Sequence, residues 1–276
     1  MIIDGWVGIG EFDDTDTPAL AALRESFSVP DGRFTTSPDA LLAVLADAGI
    51  DHAVMAVRLG DTPLNRLGAQ PMHLEPALEV CRTVDRRLSL MAQVTDPHDV
   101  MGMCRALRAA AEQPEVKAAL VTPFALERYI NDACLYPVYA TCVDLGLPVI
   151  INAGICGPPL QSKYQDPMLL EDILVHFPEL KVIIGHGGHP YERLIIRLMA
   201  KFRHLYVMTS AWMPKYLDPV LVEFMGSTRG RGRVVFGSDW PILDPKAAIK
   251  QARALPLDDA ARDGYLGGNI RSILDL

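Results

Sequence analysis

The sequence predicts an α/β fold, a (β/α)8 TIM barrel filling residues 1–276 as one domain, and three observations carry that prediction. With 276 residues and 50% hydrophobic content, the chain is long enough to close one large core. Short apolar runs alternate with segments of helical spacing, the pattern of parallel βαβ units. Eight such runs can be counted, whereas an open doubly wound sheet usually shows fewer strands and a glycine-rich first turn.

The runs are Met1 to Val7, His52 to Val57, Leu88 to Val94, Val116 to Val121, Leu147 to Ile151, Leu180 to Gly185, Leu205 to Thr209, and Arg233 to Gly237. Most stay apolar through consecutive positions, as strands covered on both faces must. Ser37-Pro38 offers an N-cap followed by proline at the first helical position, and Gly49 closes the helix begun over Ala40 to Ala48. Asp144-Leu-Gly146 ends a helix before the fifth run. Asp166-Pro167 opens the next helix, which ends near Phe177-Pro178, and Leu266 to Leu276 reads as a closing helix. No linker, low-complexity tract or short-period repeat divides the chain.

A net charge of -8 argues against a nucleic-acid partner, because phosphate binding needs clustered Lys and Arg. Arg229, Arg231 and Arg233, the one basic run, are interleaved with glycines and read as a solvated loop. The first residues lack the pattern of a signal peptide, and no segment approaches the roughly 20 apolar residues that span a bilayer, so a cytoplasmic location without a membrane partner is expected. Cys81, Cys104, Cys134, Cys142 and Cys156 are odd in number and lack CxxC spacing, so reduced thiols are expected rather than disulfides or a zinc knuckle. A small molecule is the expected partner, with homo-oligomerisation left open.

In a barrel, chemistry gathers at the C-terminal ends of the strands. Polar groups stand there in Asp4-Gly-Trp6-Val-Gly8, Ile151-Asn152-Ala-Gly154, Gly185-His186-Gly-Gly-His189 and Gly237-Ser-Asp239-Trp240-Pro241. A lone His or Asp is more often a satisfied core or capping residue. His186 and Asp239, however, directly follow apolar strands and neighbour glycines that let a ligand approach the backbone. They are the candidate catalytic pair.

Leu147-Pro-Val-Ile-Ile-Asn152, Val182-Ile-Ile-Gly-His186-Gly-Gly and Val235-Phe-Gly-Ser-Asp239-Trp-Pro resemble the amidohydrolase superfamily, in particular the branch of aminocarboxymuconate semialdehyde decarboxylase and related barrel hydrolases. The resemblance runs from about Asp132 to the C-terminus and more faintly through the first half. It implies a divalent metal held by a His-x-His pair after the first strand, a His after the fifth and the Asp after the eighth, with the His after the sixth assisting catalysis. Here Trp6 and Gly8 stand at the first pair and Asn152 at the fifth-strand position, leaving His186 and Asp239. Catalytic zinc normally takes three protein ligands, so the expectation is no metal and no cofactor, with a single divalent ion such as zinc as runner-up. Glu11, Asp13, His73 and His189 are the loop donors that could restore a site.

Other residues at the mouth are candidate substrate contacts. Arg58 could clamp a carboxylate or form a surface ion pair. Trp212 and Trp240 could line an apolar slot or simply pack, and Cys156 sits on an active-face loop where a nucleophile would need His186 nearby. The reading is a hydrolase, independent of metal, acting on an activated ester, lactone, thioester or amide of a small organic acid. Asp239 would be general base, His186 the polarising or acid group, and Asn152 a donor to the oxyanion. The alternatives are a metal-dependent hydrolase or decarboxylase with rebuilt ligands, and a non-catalytic ligand-binding barrel.

Overall fold

The aliphatic and β-branched runs form eight parallel strands: β1 (Ile3–Val7), β2 (His52–Arg58), β3 (Leu88–Gln93), β4 (Val116–Val121), β5 (Val149–Asn152), β6 (Val182–Gly185), β7 (Leu205–Met208) and β8 (Val234–Val235). This computed structural model describes residues 1–11, 18–30, 33, 37–60, 70–84 and 87–276. Each strand pairs in parallel with the next from β1 through β8. The ring closes through backbone hydrogen bonds. Gly5 N–H donates to Phe236 O at 3.0 Å, Asp239 N–H to Trp6 O at 2.8 Å, and Gly8 N–H to Trp240 O at 2.8 Å.

β8 is shorter than the run Arg233 to Gly237 suggests, because Phe236 N–H turns away to Tyr265 O at 3.0 Å. A ribbon without a signal in the sequence joins Gly10–Glu11 antiparallel to Gln70–His73, which continues in parallel beside the end of β2. The helix punctuation is where the sequence puts it. Ser37 Oγ accepts from Ala40 N–H at 3.4 Å and Gly49 adopts φ 70° after the helix Pro38–Ala48. Asp166 likewise caps the turn Pro167–Leu169 that leads into the helix Leu170–His176.

Alternation along the strands divides the core into two layers. Ile3, Val54, Met91, Leu120, Ile150 and Ile183 belong to the inner cluster, while Met55, Leu90, Ile151 and Ile184 pack outward with helix residues such as Leu41 and Leu107. The helix Asn269–Leu274 adds Ile270, Ile273 and Leu274 to the inner cluster. Lys117 and Lys181, at the N-terminal ends of β4 and β6, donate to the carbonyls of Asp275 and Ile273 at 3.3 and 3.2 Å. The segment therefore seals the bottom of the barrel and leaves the opposite end for chemistry.

Candidate active site

His186 and Asp239 meet at the C-terminal end of the barrel. Both leave their strands in the left-handed region, at φ 57° and 55°, a conformation uncommon for residues with a side chain. Strain of this kind persists only where surroundings over-determine it. For Asp239 the restraint is its N–H on Trp6 O. For His186 it is threefold: its N–H donates to Ser210 Oγ at 3.1 Å, its carbonyl accepts from Trp212 Nε1 at 3.1 Å, and Nδ1 lies 3.0 Å from the Ser210 hydroxyl. Ser210 accepts from the backbone, so its own hydrogen is available to Nδ1, which places the ring hydrogen on Nε2. Ser210 is fully buried and positions the imidazole; it is not an accessible nucleophile.

The Asp239 Oδ2 to His186 Nδ1 separation is 3.9 Å, too long for a hydrogen bond. Burial pulls the His186 imidazole down to about 4, against a small opposing effect of the Ser210 hydrogen bond. Burial, and then the nearby Asp4 carboxylate, push Asp239 well above the ordinary carboxyl range. Asp4 is itself raised to about 6 by burial, although Ser238 and the Trp6 N–H partly offset this by hydrogen bonding. One oxygen of Asp4 accepts from Ser238 N–H at 2.8 Å, while its Oδ2 has no partner among the described residues. Two buried carboxyls side by side resist ionising together, so the pair holds a proton toward neutral pH while His186 stays uncharged.

Gly185 makes room for the rest of the floor. A Cβ there would lie 2.9 Å from Asn152 Oδ1 and 3.0 Å from the Trp6 ring. Its absence lets both side chains approach the backbone, with the Trp6 ring 4.5 Å from that of His186. Asn152 is buried and its Oδ1 has no partner among the described residues. Gln93 Nε2 donates to Thr122 Oγ1 at 2.8 Å within the adjoining strands. His186, Asp239, Asn152 and Trp6 are thus brought together as the sequence suggests.

Other candidates fall elsewhere. Arg58 is buried and its Nε donates to Pro71 O at 3.1 Å, bracing the ribbon Gln70–His73. Trp240 does not line the mouth: one residue along from Asp239 it faces outward, buried in the outer layer and bordering a groove with Ala40, Ala43 and Val44. Trp212 does reach the site, through His186 O. Cys156 Sγ lies 3.1 to 3.4 Å from Leu160 O, Ser162 Oγ and Pro158 O, so its contacts lie within its own loop. His189 stands at the rim beside Trp212. Asp13 and the Glu11 side chain lie outside the described residues, and His73 ends the strand Gln70–His73. The sequence places Asp4 in the motif ending at Gly8 without singling it out, and gives no signal for Glu192, the partner of His189.

The chain is thus a parallel eight-stranded barrel with His186 and Asp239 side by side at its C-terminal mouth. The amidohydrolase family model matches residues 13–276, and the chain belongs to that family. No curated protein matches it in sequence. Among solved structures it is similar to an uncharacterized TIM-barrel protein from Bordetella bronchiseptica, at 20% identity and TM-score 0.77, covering 99% of this chain and 98% of that one. It is also similar to 5-carboxyvanillate decarboxylase from Sphingomonas paucimobilis, at 17% identity and TM-score 0.70 with 100% and 98% covered. A third is dihydroxybenzoic acid decarboxylase from a Polaromonas species, at 17% identity and TM-score 0.68 with 99% and 97% covered.

The Polaromonas enzyme was crystallised with manganese and the inhibitor 2-nitroresorcinol, and a 5-carboxyvanillate decarboxylase from Novosphingobium aromaticivorans also with manganese. This overturns the expectation that no cofactor is involved. Positions 6, 8 and 152 bear on three ligands alone and say nothing of donors from loops. Among the described residues, however, no group of three or more His, Cys, Asp or Glu side chains is arranged to hold a metal. The described residues therefore do not complete a metal shell, and no step below is routed through one.

Proposed function

We propose that the chain is a carbon–carbon lyase that removes carbon dioxide from a small aromatic or conjugated acid. The observation that carries this reading is the Asp239 carboxyl, kept protonated toward neutral pH by burial beside Asp4 and facing an uncharged His186. Decarboxylation needs a proton donor for carbon, and a desolvated neutral carboxyl is suited to that role. Asp239 delivers its proton to the carbon bearing the carboxylate. The C–C bond then breaks, its electron pair returns to the conjugated system, and carbon dioxide leaves. The Asp239 carboxylate regains a proton from solvent. His186 Nε2–H orients the substrate by donating to one of its oxygens, and the apolar burial around Trp6 favours loss of the localised carboxylate charge. The decarboxylases among the structural neighbours support this reading, and manganese enters it as the ion to supply in the assay.

Hydrolysis is the second reading, favoured by the family match. In that case Asp239 takes a proton from water, His186 polarises the carbonyl, and Asn152 donates to the oxyanion. One assay separates the two. Carbon dioxide release from 2,6-dihydroxybenzoate, 5-carboxyvanillate and related acids is measured beside hydrolysis of activated esters and lactones, with manganese supplied and with it chelated. Turnover of an acid to carbon dioxide is expected. Ester or lactone hydrolysis without any carbon dioxide release would sink the lyase reading.

A further inference from the structure

The helix Pro18–Phe27, between β1 and β2, reaches the far side of the barrel mouth, and the mechanism above makes no use of it. The ring of Phe27 lies on Gly157, in the loop after β5. A Cβ built on Gly157 would fall 2.7 Å from Phe27 Cε2 and closer still to Cζ. β1 and β5 are four places apart in the ring of eight strands, so they stand on opposite walls. Segments leaving the same end of opposite walls touch by bridging the opening between them. Beneath that bridge His186 and Asp239 keep 25% and 20% of their side chains exposed, which leaves room above the pair.

The two sides of this contact are held differently. The seat is firm: Gly154 N–H donates to Gln165 O at 2.8 Å, and Gln165 Nε2 donates back to Gly154 O at 2.8 Å. Ile155 N–H donates to His189 O at 2.8 Å, and Cys156 N–H to Ser162 Oγ at 3.1 Å. On the helix side the bonds at its end stay local. Ser28, at φ 50°, donates its N–H to Glu25 O at 3.1 Å, and Val29 N–H donates to Arg24 O at 2.9 Å. Phe27 itself is half-buried. We propose that the helix Pro18–Phe27 is a strap over the mouth, latched by Phe27 on Gly157, and that the latch parts to admit ligand to His186 and Asp239. Such a latch opens readily, since burying half a phenylalanine side chain favours the shut form by only about tenfold. Shut, the strap keeps bulk water from the acid–base pair. The inference concerns access, goes beyond the choice between lyase and hydrolase, and holds for either.

Access is read by the rate at which diethyl pyrocarbonate acylates His186, followed by peptide mass spectrometry with the exposed His98 as reference in the same sample. Phe27→Ala removes the latch, and Gly157→Ala puts a methyl group where the ring lies. Phe27→Ala is expected to speed acylation of His186 about tenfold relative to His98, and Gly157→Ala to act in the same direction. The double variant should react no faster than Phe27→Ala alone, because the methyl group then enters the space the ring has left. Thermal midpoints near wild type show that the strap and not the barrel has opened. Should an alanine variant fail to fold, Phe27→Leu, which keeps part of the apolar contact, takes its place with a smaller gain. Unchanged acylation of His186 in the folded single variants, or gains that multiply in the double variant, overturns the strap.

Discussion

Asp239→Asn keeps the shape of the side chain and one acceptor oxygen but has no acidic proton to give. Positioned general acid–base chemistry contributes about 100- to 10,000-fold, so turnover should fall within that range while the thermal midpoint stays near wild type. A folded Asp239→Asn protein with wild-type single-turnover rates would make Asp239 structural. Ser210→Ala removes the hydroxyl that holds both the N–H and Nδ1 of His186. It should cost about 1–3 kcal/mol in chemical denaturation, because a buried N–H loses its partner, and it should slow turnover through His186. His186 and Asp239 are legible in the sequence since each follows an apolar run at a glycine, a local pattern. Asp4 is not legible, because its importance comes from contact with Ser238, which lies 234 positions away. Trp240 misleads for the opposite reason: adjacency to Asp239 in sequence puts it on the other face of the wall.

At the scale of elements, the loop after β5 is locked onto the loop after β6 through Gly154. This residue adopts φ +97°, and a Cβ would lie 2.6 Å from the Gly188 carbonyl carbon and 2.7 Å from His189 O. Gly154→Ala therefore has to strain its own backbone or push away the turn that carries His186 and His189. A loss of about 1–3 kcal/mol is expected, with a larger proportional loss of activity than a helix-surface control shows. Equal stability and activity in that variant would show that the two loops yield independently. The helix caps at Ser37 and Asp166 could be read in advance since capping is decided within a few residues. The ribbon Gly10–Glu11 with Gln70–His73 and the shortened β8 could not, as both depend on which distant backbone group competes for a hydrogen bond.

For the whole molecule, the barrel is legible because eight apolar runs at strand length admit few closed arrangements. The seal at its base is only half legible: Leu266 to Leu276 reads as a helix, but nothing in its spacing says that it enters the inner layer. Ile270→Ala should cost about 2–5 kcal/mol, the range for a buried aliphatic side chain, measured by urea unfolding. Stability should also carry the imprint of Asp4. Its folded value near 6 lies above the ordinary 3.8, so its contribution is fully present below about pH 3.8 and is lost as pH rises through about 6. His186 runs the other way, with a folded value near 4 against 6.5, contributing above about pH 6.5 and losing that contribution as pH falls toward 4. Comparing Asp4→Asn with wild type isolates the first effect. The variant should gain in relative stability between about pH 4 and 6 and hold that gain above; a difference that is flat across this range would remove the buried-carboxyl account.

The same seal sets a clock on biosynthesis. β1 is made well before its closing partner β8 and the side chains of Ile270, Ile273 and Leu274 that fill the base. A nascent chain stopped short of residue 274 lacks part of the inner cluster and is expected to expose inner-face aliphatic groups. Chaperone dependence should therefore rise with the length of chain emerged from the ribosome, and drop sharply only once Ile270, Ile273 and Leu274 are free to dock.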